Sequence, residues 1–199
     1  FAARRHELSE EFLRRPLLEW KRDESLATFE TREALLAHAR ALAVPEARLY
    51  LQLTDAASPR NEALLDALAV AVQLTQWLAD FARELERGRL RLPVDELVRG
   101  GVELARLRTA EGQPALTRVM AEHVVWARSF YARGWELCAA LGAWRGRRLA
   151  FVLRWNAAAL TGLEARGCDV RRGPPPAGWV RLAACGSASL FSSQPPRLA

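Results

Sequence analysis

Residues 58–93 have the sequence SPRNEALLDALAVAVQLTQWLADFARELERGRLRLP and contain the longest helical pattern of the chain. Ser58 is a residue type that caps helix starts, and Pro59 suits the first helical position, where no backbone donor is needed. Gly88 marks the predicted end. Because neither Gly nor Pro interrupts the pattern between Pro59 and Gly88, the stretch predicts one long helix around which the fold is organised.

The pattern places two different sets of side chains on opposite faces of this helix. One face is apolar, with a period of about 3.6 residues, and is predicted to face the core. Its members are Leu64, Leu68, Ala71, Thr75, Leu78, Ala82 and Leu85. The opposite face carries Ala69, Gln73, Gln76, Trp77, Asp80 and Glu84. These residues are spaced by three or four positions, so two amides and two acids share one face.

Asp80 and Glu84 are one helical turn apart, and two interpretations of this pair stay open. Two acids at this spacing suit a magnesium ion that also binds substrate phosphates and waters. Alternatively, each acid forms an ordinary ion pair with the arginine three residues later, Arg83 or Arg87, on a solvated helix face. The spacing alone favours the second interpretation.

A longer string around this pair carries more information than the pair itself. Residues 73–97 have the sequence QLTQWLADFARELERGRLRLPVDEL. This string resembles the second aspartate-rich motif of the squalene/phytoene synthase family, which has the form QLTNxxRDxxxDxxxGRxYLPxDEL. The matching positions are Gln73 for the leading amide, Asp80 and Glu84 for the two acids, Gly88 and Arg89 for the Gly-Arg pair, and Leu92 and Pro93 for the Leu-Pro pair.

A second block upstream resembles the same family. Residues 43–51, with the sequence AVPEARLYL, are similar to its AxPVGRL segment and keep Pro45 and Arg48. The spacing between the two blocks also agrees with the family. Within the family, the chain most resembles the bacterial hydroxysqualene synthase branch, which works in hopanoid-type squalene formation.

The resemblance implies a fold, a reaction and a set of functional residues. The fold is all-α, a helical bundle of the isoprenoid synthase type. The reaction is the magnesium-dependent ionisation of farnesyl diphosphate or presqualene diphosphate, with the carbocation held in an apolar cavity, as in a prenyl transferase or diphosphate lyase. The implied residues are Asp80 and Glu84 as catalytic magnesium ligands, Gln73 and Gln76 as contacts to waters or diphosphate oxygens, and Arg48 and Arg89 as neutralisers of diphosphate.

Several motif positions depart from the family pattern. Five positions differ: this chain has Gln76 where the family has Asn, Ala79 where it has Arg or Gln, Glu84 where it has Asp, Arg91 where it has Tyr, and Ala47 where it has Gly. The longer arm of Glu84 matters because active sites are sensitive to displacements of about 1 Å. These departures keep a second hypothesis open, in which the chain has the family fold, lacks catalysis and acts as an assembly or binding partner.

Composition and charge bear on partners and location. The formal net charge of +6 comes almost entirely from arginine, since Lys21 is the only lysine. Because the arginines are scattered along the chain, no nucleic-acid partner is predicted. Three widely spaced cysteines indicate neither disulfides nor zinc, which fits the cytoplasm. The arginines within residues 145–148 suit either peripheral contact with the inner membrane face or a solvated loop.

The chain is predicted to be one helical domain, residues 1–185, followed by a disordered tail, residues 186–199. The sequence begins at Phe1, and Met120 is its only methionine. The first aspartate-rich motif of the family is not found in it. We therefore expect the N-terminal helices of the family domain to precede this sequence.

Further helices are predicted at residues 31–43, 46–53, 116–141, 147–166 and 177–184, and residues 94–107 are predicted to form two short helices with a turn at Gly100 and Gly101. Pro45 is expected to end or kink the first of them. His38 stands where the family commonly has Tyr, and it is expected either to line the cavity or to be a satisfied core histidine. His123 has no second metal ligand nearby and is expected to be structural. No strand pattern of useful length is found.

Overall fold

A computed structural model describes residues 10–107, 114–169 and 179–191. Its helices are α1 (Glu10–Ser25), α2 (Arg32–Leu53), α3 (Pro59–Ala79), α4 (Phe81–Glu86), α5 (Val94–Arg99), α6 (Pro114–Gly134), α7 (Glu136–Ala140), α8 (Gly142–Glu164) and α9 (Trp179–Phe191), with a 3-10 turn at Leu104–Arg106. Within these ranges there is no β-strand, and the only β-type pairing is an isolated bridge between Phe29 and Pro93. The predicted all-α class is confirmed.

Helix α3 lies at the centre of the bundle and packs against α2, α6 and α8. Its start is as predicted, because the Ser58 hydroxyl accepts a hydrogen bond from the Asn61 N–H at 3.2 Å and Pro59 is the first helical residue. A larger part of the surface of this helix is buried than the sequence pattern predicts. Ala69 and Trp77, which the pattern places away from the core, are buried because neighbouring helices contact α3 on several sides.

The single helix predicted over residues 58–88 is divided at Asp80, which lies between α3 and α4. The break is small. The Asp80 N–H donates to the Gln76 carbonyl at 2.9 Å, and the Glu84 N–H donates to the Asp80 carbonyl at 2.9 Å. Gly88 then adopts a φ of 78°, a left-handed conformation that suits glycine at a helix end. Asp80 and Glu84 therefore remain one helical turn apart.

Two other helices extend beyond their predicted bounds. Helix α2 continues through Pro45, which is buried, to Leu53, so this proline does not end the helix. Helix α9 reaches Phe191 and thus includes residues 186–191 of the predicted tail, while residues 192–199 lie outside the described part. Packing explains this extension, since the guanidinium of Arg154 in α8 donates to the Ser189 hydroxyl of α9 at 2.8 Å.

Close contact between α3 and α6 depends on a glycine. A Cβ atom at Gly134 would lie 2.5 Å from the Leu64 carbonyl oxygen and 2.5 Å from the Leu68 side chain. Only a residue without a side chain lets the two helices approach this closely. Among the described residues, no helix combines the length and apolar character that crossing a bilayer requires.

Candidate functional site

An apolar cavity of about 370 Å³ lies among helices α2, α3 and α8. Its walls include Leu42 and Tyr50 from α2, Leu65, Leu68 and Val72 from α3, and Leu149 and Leu153 from α8. Trp20 from α1 and Val152 from α8 also line it, and both are half-exposed, so the cavity is open to solvent on their side. Its volume falls in the range of sites that hold small molecules, about 300–1,000 Å³.

Gln73 and Gln76 lie on the wall of this cavity, as does Ala47. The two amides are among its few polar side chains, together with Glu46. They lie on α3, and Gln76 is one turn before Asp80. The cavity therefore has polar groups on the helix that leads directly to the motif acids.

The two motif acids occupy different surroundings. The Asp80 side chain is 39% exposed, and one of its oxygens lies 3.3 Å from the guanidinium of Arg83. Glu84 is only 7% exposed. Its two oxygens accept hydrogen bonds from Arg89 at 2.7 Å, from Arg91 at 3.2 Å and from Arg87 at 3.3 Å. The ion pair predicted for each acid is thus present, but Glu84 is buried and held by three arginines rather than one.

Five residues around this acid form what we call the Arg91 cluster: Asp23, His38, Glu84, Arg89 and Arg91. Arg91 is 1% exposed and bridges two carboxylates. Its Nε donates to Glu84, and its Nη2 donates to Asp23 at 2.8 Å. The other Asp23 oxygen lies 2.6 Å from His38 Nε2. The cluster thus joins α1, α2, α4 and the segment before α5 through buried charges.

Aromatic rings enclose the positive groups of the Arg91 cluster. The Arg91 guanidinium lies 5.4 Å from the ring centre of Trp77 and 5.7 Å from that of Phe29. His38 stacks on Trp77 with an interplanar angle of 4°. Two buried donors, Arg91 Nη1 and Arg89 Nε, have no hydrogen-bond partner among the described residues. The rings attract the guanidinium charge through their π-systems, which offsets part of this deficit.

The carboxylates of the Arg91 cluster are stabilised in their charged form. Burial alone raises the pKa of Glu84, but hydrogen bonds from Arg89 and Arg91 outweigh it, so that pKa lies below its ordinary value. Burial likewise raises the pKa of Asp23, and the hydrogen bond to His38 and the charge of Arg91 bring it below its ordinary value. Both acids are therefore anionic at neutral pH.

Arg48 lies elsewhere, on the contact between α2 and α3. Its Nε and Nη2 donate to the two oxygens of Asp66 at 2.9 and 2.6 Å, and Glu62 is 3.4 Å away. Arg48 is not among the described residues that line the cavity. Its charge is used to join two helices, and the structure does not bring it together with Gln73, Gln76 or the motif acids.

A second ion group, which is partly buried and which we call the Glu96 cluster, consists of Arg32, Glu96 and His123. Arg32 donates to both Glu96 oxygens, at 2.5 and 2.6 Å, and His123 Nε2 lies 2.9 Å from one of them. Arg32 also lies 4.8 Å from the ring centre of Trp126. This cluster joins α2, α5 and α6, which agrees with the structural role predicted for His123.

The fit of a magnesium ion to the motif acids can be judged from their partners. Both Glu84 oxygens are occupied by guanidinium donors, whereas Asp80 is half-exposed with one weak ion pair. Over the described ranges, no group of three or more His, Cys, Asp or Glu side chains is arranged to hold a metal. As arranged, the pair does not fit magnesium, and its role as a ligand set stays a prediction that requires Glu84 to leave its arginines.

The sequence did not predict the Arg91 cluster. Arg91 is a departure from the family motif, but its partner Asp23, and the His38 that contacts Asp23, lie on helices far away along the chain. One signal was available. Arg91 is a charged residue between Leu90 and Leu92, both of which are buried, and a charge inside an apolar run requires a buried partner.

Comparisons with known proteins agree on one family. The profile of the family described as squalene/phytoene synthase matches residues 2–181. Phytoene synthase from Thermus thermophilus is 38% identical over 92 residues, which are 46% of this chain and 31% of the relative.

Solved structures show the same fold. The squalene synthase HpnC from Alicyclobacillus acidocaldarius superposes with a TM-score of 0.79 at 25% identity, over 83% of this chain and 63% of that one. A dehydrosqualene synthase solved in complex with a ligand gives a TM-score of 0.78 at 18% identity, over 89% of this chain and 63% of that one. The predicted isoprenoid synthase bundle is confirmed, and the chain spans less than two thirds of the length of these relatives.

Proposed function

The chain belongs to the squalene/phytoene synthase family, whose profile matches residues 2–181, and on this premise we propose that it processes a prenyl diphosphate in isoprenoid biosynthesis. The substrate class is farnesyl diphosphate or its cyclopropyl dimer, presqualene diphosphate. The product is of the squalene type, as in the hydroxysqualene synthase branch that leads to hopanoids. The reaction is that of a prenyl transferase or diphosphate lyase.

The observation that carries this proposal is the apolar cavity with Gln73 and Gln76 on its wall. A prenyl chain is entirely hydrocarbon, so its transfer from water to leucine-rich walls is favourable by about 25 cal/mol per Å² of buried surface. The amide N–H groups of Gln73 and Gln76 donate to diphosphate oxygens or to the waters around them. The prenyl chain thus contacts apolar walls, and the diphosphate contacts hydrogen-bond donors on α3, the helix that leads to Asp80.

In this mechanism, the protein favours breaking the C–O bond between the prenyl carbon and the diphosphate. Amide and guanidinium donors stabilise the negative charge on the departing diphosphate, and apolar walls keep water from the carbocation. Arg89, whose side chain is 19% exposed, is the proposed guanidinium donor. Arg48 contributes in this way only if it leaves Asp66, so its proposed role depends on a rearrangement.

Divalent metal dependence is general in this family. For this chain we propose magnesium as the cofactor, with Asp80 as its ligand among the two acids that the family motif implies. Of the two acids, Asp80 is the one with an oxygen available in the described arrangement, and Glu84 becomes available only when Arg89 and Arg91 release it. No step of the mechanism above depends on magnesium at Glu84.

A second candidate function is that of a family-fold protein without catalysis that acts as an assembly or binding partner. The neutralisation of Glu84 by three arginines favours it, because a motif acid so occupied is withdrawn from chemistry. The two functions predict different results in one experiment.

The test is farnesyl diphosphate binding by calorimetry and diphosphate release, measured with magnesium on the purified protein. Val72→Trp fills the cavity from α3, and Ala63→Trp places the same side chain on the exposed side of the same helix as a control. Binding that Val72→Trp weakens at least tenfold, together with diphosphate release, supports the enzyme. Binding without release supports the second candidate, and a folded protein that does not bind contradicts both.

Peripheral membrane contact is a separate proposal, supported by the first turns of α8. Trp144 is 72% exposed, and Arg147 and Arg148 are exposed beside it. Tryptophan and arginine together suit the interface between water and anionic lipid headgroups. We propose that this surface contacts the inner membrane face, where a hydrocarbon product is released, while the protein is otherwise cytoplasmic.

A further inference from the structure

We propose that Arg91 is a built-in cation that replaces a metal charge at Glu84, so that a divalent ion binds this acid only after an arginine has been displaced. Arg91 is then a positioning residue that controls the metal affinity of the motif. The inference rests on the proposed function only in that Glu84 is a motif acid of a metal-dependent family. It concerns metal binding, which is measurable without substrate.

The geometry places Arg91 where a shared cation would lie. Its Nε contacts Glu84 at 3.2 Å, and its Nη2 contacts Asp23 at 2.8 Å. One guanidinium thus bridges carboxylates from α1 and α4, which is the task that a bridging metal ion performs elsewhere. Arg89 takes the remaining Glu84 oxygen at 2.7 Å, so neither oxygen of this acid is free.

The charges of the cluster are already balanced. Asp23 and Glu84 contribute two negative charges, and Arg89 and Arg91 contribute two positive charges. Arg87 at the exposed side adds one more positive charge. Since a divalent cation is attracted by an excess of negative charge, this cluster offers it none. Tyrosine at position 91, the residue of the family motif, would leave Asp23, Glu84 and Arg89 with one negative charge in excess, which only Arg87 at the exposed side would oppose.

Burial makes the arginine difficult to displace. The Arg91 side chain is 0% exposed, and its guanidinium lies beside the rings of Phe29 and Trp77. A metal ion that bound Glu84 would have to displace the Arg91 guanidinium from its enclosed position. Arg91 Nη1 has no hydrogen-bond partner within residues 10–107, 114–169 and 179–191, so over these residues the group is held by its carboxylates and rings rather than by a complete set of hydrogen bonds.

The experiment measures Mn²⁺ binding by the full chain without substrate, from the electron paramagnetic resonance signal of free Mn²⁺. Arg91→Tyr is expected to raise Mn²⁺ affinity at least tenfold, and adding Glu84→Gln to it is expected to abolish the gain. Arg91→Lys, which keeps the charge, is expected to bind Mn²⁺ as the wild type does. Arg99→Tyr removes an exposed arginine paired with Asp95 and is expected to change nothing.

Two further measurements keep the inference falsifiable if Arg91→Tyr does not fold. Arg91→Met keeps an unbranched apolar stem beside the rings but removes the charge, and it is expected to show the same gain in affinity. In the wild-type background, Glu84→Gln is expected to leave Mn²⁺ affinity unchanged. Wild-type Mn²⁺ binding that Glu84→Gln weakens tenfold would overturn the proposal, and so would folded Arg91→Tyr or Arg91→Met variants without a gain.

Discussion

The Arg91 cluster and the Glu96 cluster are built from the same parts, carboxylates held by arginine and histidine, yet they differ in how fully their buried polar atoms are hydrogen-bonded. In the Glu96 cluster, Arg32 donates to both oxygens of one acid and His123 adds a third contact. In the Arg91 cluster, two acids share two arginines, and the donors Arg91 Nη1 and Arg89 Nε have no partner in the part of the chain that the structure describes.

This difference distinguishes an ion group that only joins helices from one that lies at a motif acid. A buried ion group that only joins helices has its hydrogen bonds satisfied, because an unsatisfied buried donor costs about 1–3 kcal/mol. The carboxylate of the Glu96 cluster has its hydrogen bonds satisfied. The Arg91 cluster has donors that are unsatisfied among the described residues, and this cluster lies at the motif acid Glu84, one turn beyond Asp80 and two turns beyond Gln76. Unsatisfied groups at such a position are expected at functional sites.

The largest effect is expected from Arg91→Ala. This change removes the arginine that bridges the partly buried Asp23 and the buried Glu84, which is predicted to destabilise the fold by about 3–5 kcal/mol. Urea denaturation followed by circular dichroism measures the loss. The control is Arg99→Ala, which removes a surface arginine and should cost about 0.5 kcal/mol or less. A loss at position 91 no larger than the control would show that the cluster does not hold the helices together.

Glu96→Gln tests the second cluster and should cost less, about 1–3 kcal/mol. The amide keeps the shape of the carboxylate and one acceptor oxygen. It has no negative charge and no second acceptor oxygen, so it cannot replace all the hydrogen bonds that Glu96 accepts from Arg32 and His123. The same denaturation experiment gives the value. If Glu96→Gln destabilises more than Arg91→Ala, the order of importance that we assign to the two clusters is wrong.

His123 should lose its contribution to stability at a higher pH than the carboxylates of the two clusters, since the pKa values of Glu96 and Glu84 are both held below their ordinary value. Burial lowers the pKa of His123 below its ordinary value of 6.5, although Glu96 opposes this. The unfolded chain therefore binds more protons below pH 6.5, and the contribution of His123 declines as the pH falls from there. The lowered pKa values of Glu84 and Asp23 place their losses lower, below their ordinary values of 4.5 and 3.8.

His123→Gln should therefore flatten the decline in stability between pH 6.5 and 5.0, and Glu84→Gln should leave that window unchanged. Thermal unfolding at a series of pH values compares the two variants with the wild type. A decline in this window that survives in His123→Gln would assign it to another group.

The smallest effect concerns the surface of α8. Trp144→Ala is expected to weaken binding to vesicles with anionic headgroups by about threefold to tenfold, because an exposed interfacial tryptophan is lost while the arginines remain. Co-sedimentation with vesicles of mixed neutral and anionic lipid measures the change. Val125→Ala, at a residue that is 66% exposed on α6, is the matched control. Equal binding by wild type and Trp144→Ala would remove the membrane proposal.

Local sequence signals predicted much of the fold. Ser58, Pro59 and Gly88 mark the ends of the central helical stretch because caps and left-handed glycines act within a few residues. The positions of Gln73 and Gln76 on one wall follow from helical spacing in the same way. Each of these features is determined by neighbours along the chain, so the sequence pattern and the family resemblance were sufficient to predict it.

Contacts between distant segments were not predictable in this way. Asp23 meets Arg91 only because α1 and the segment before α5 are brought together by the bundle, and no local pattern encodes that meeting. Arg48 was expected near diphosphate, but α2 and α3 pack so that it pairs with Asp66. Residues 186–191 look like a tail by composition, yet packing of Ser189 against Arg154 includes them in a helix.

The central claim is that the cavity among α2, α3 and α8 holds a prenyl diphosphate. A crystal structure of the protein with a non-ionising farnesyl thiodiphosphate tests it most directly. We predict a prenyl chain against Leu68 and Leu153, with the diphosphate end toward Gln76 and Asp80. A ligand bound elsewhere on a folded protein, with this cavity empty, would contradict the claim.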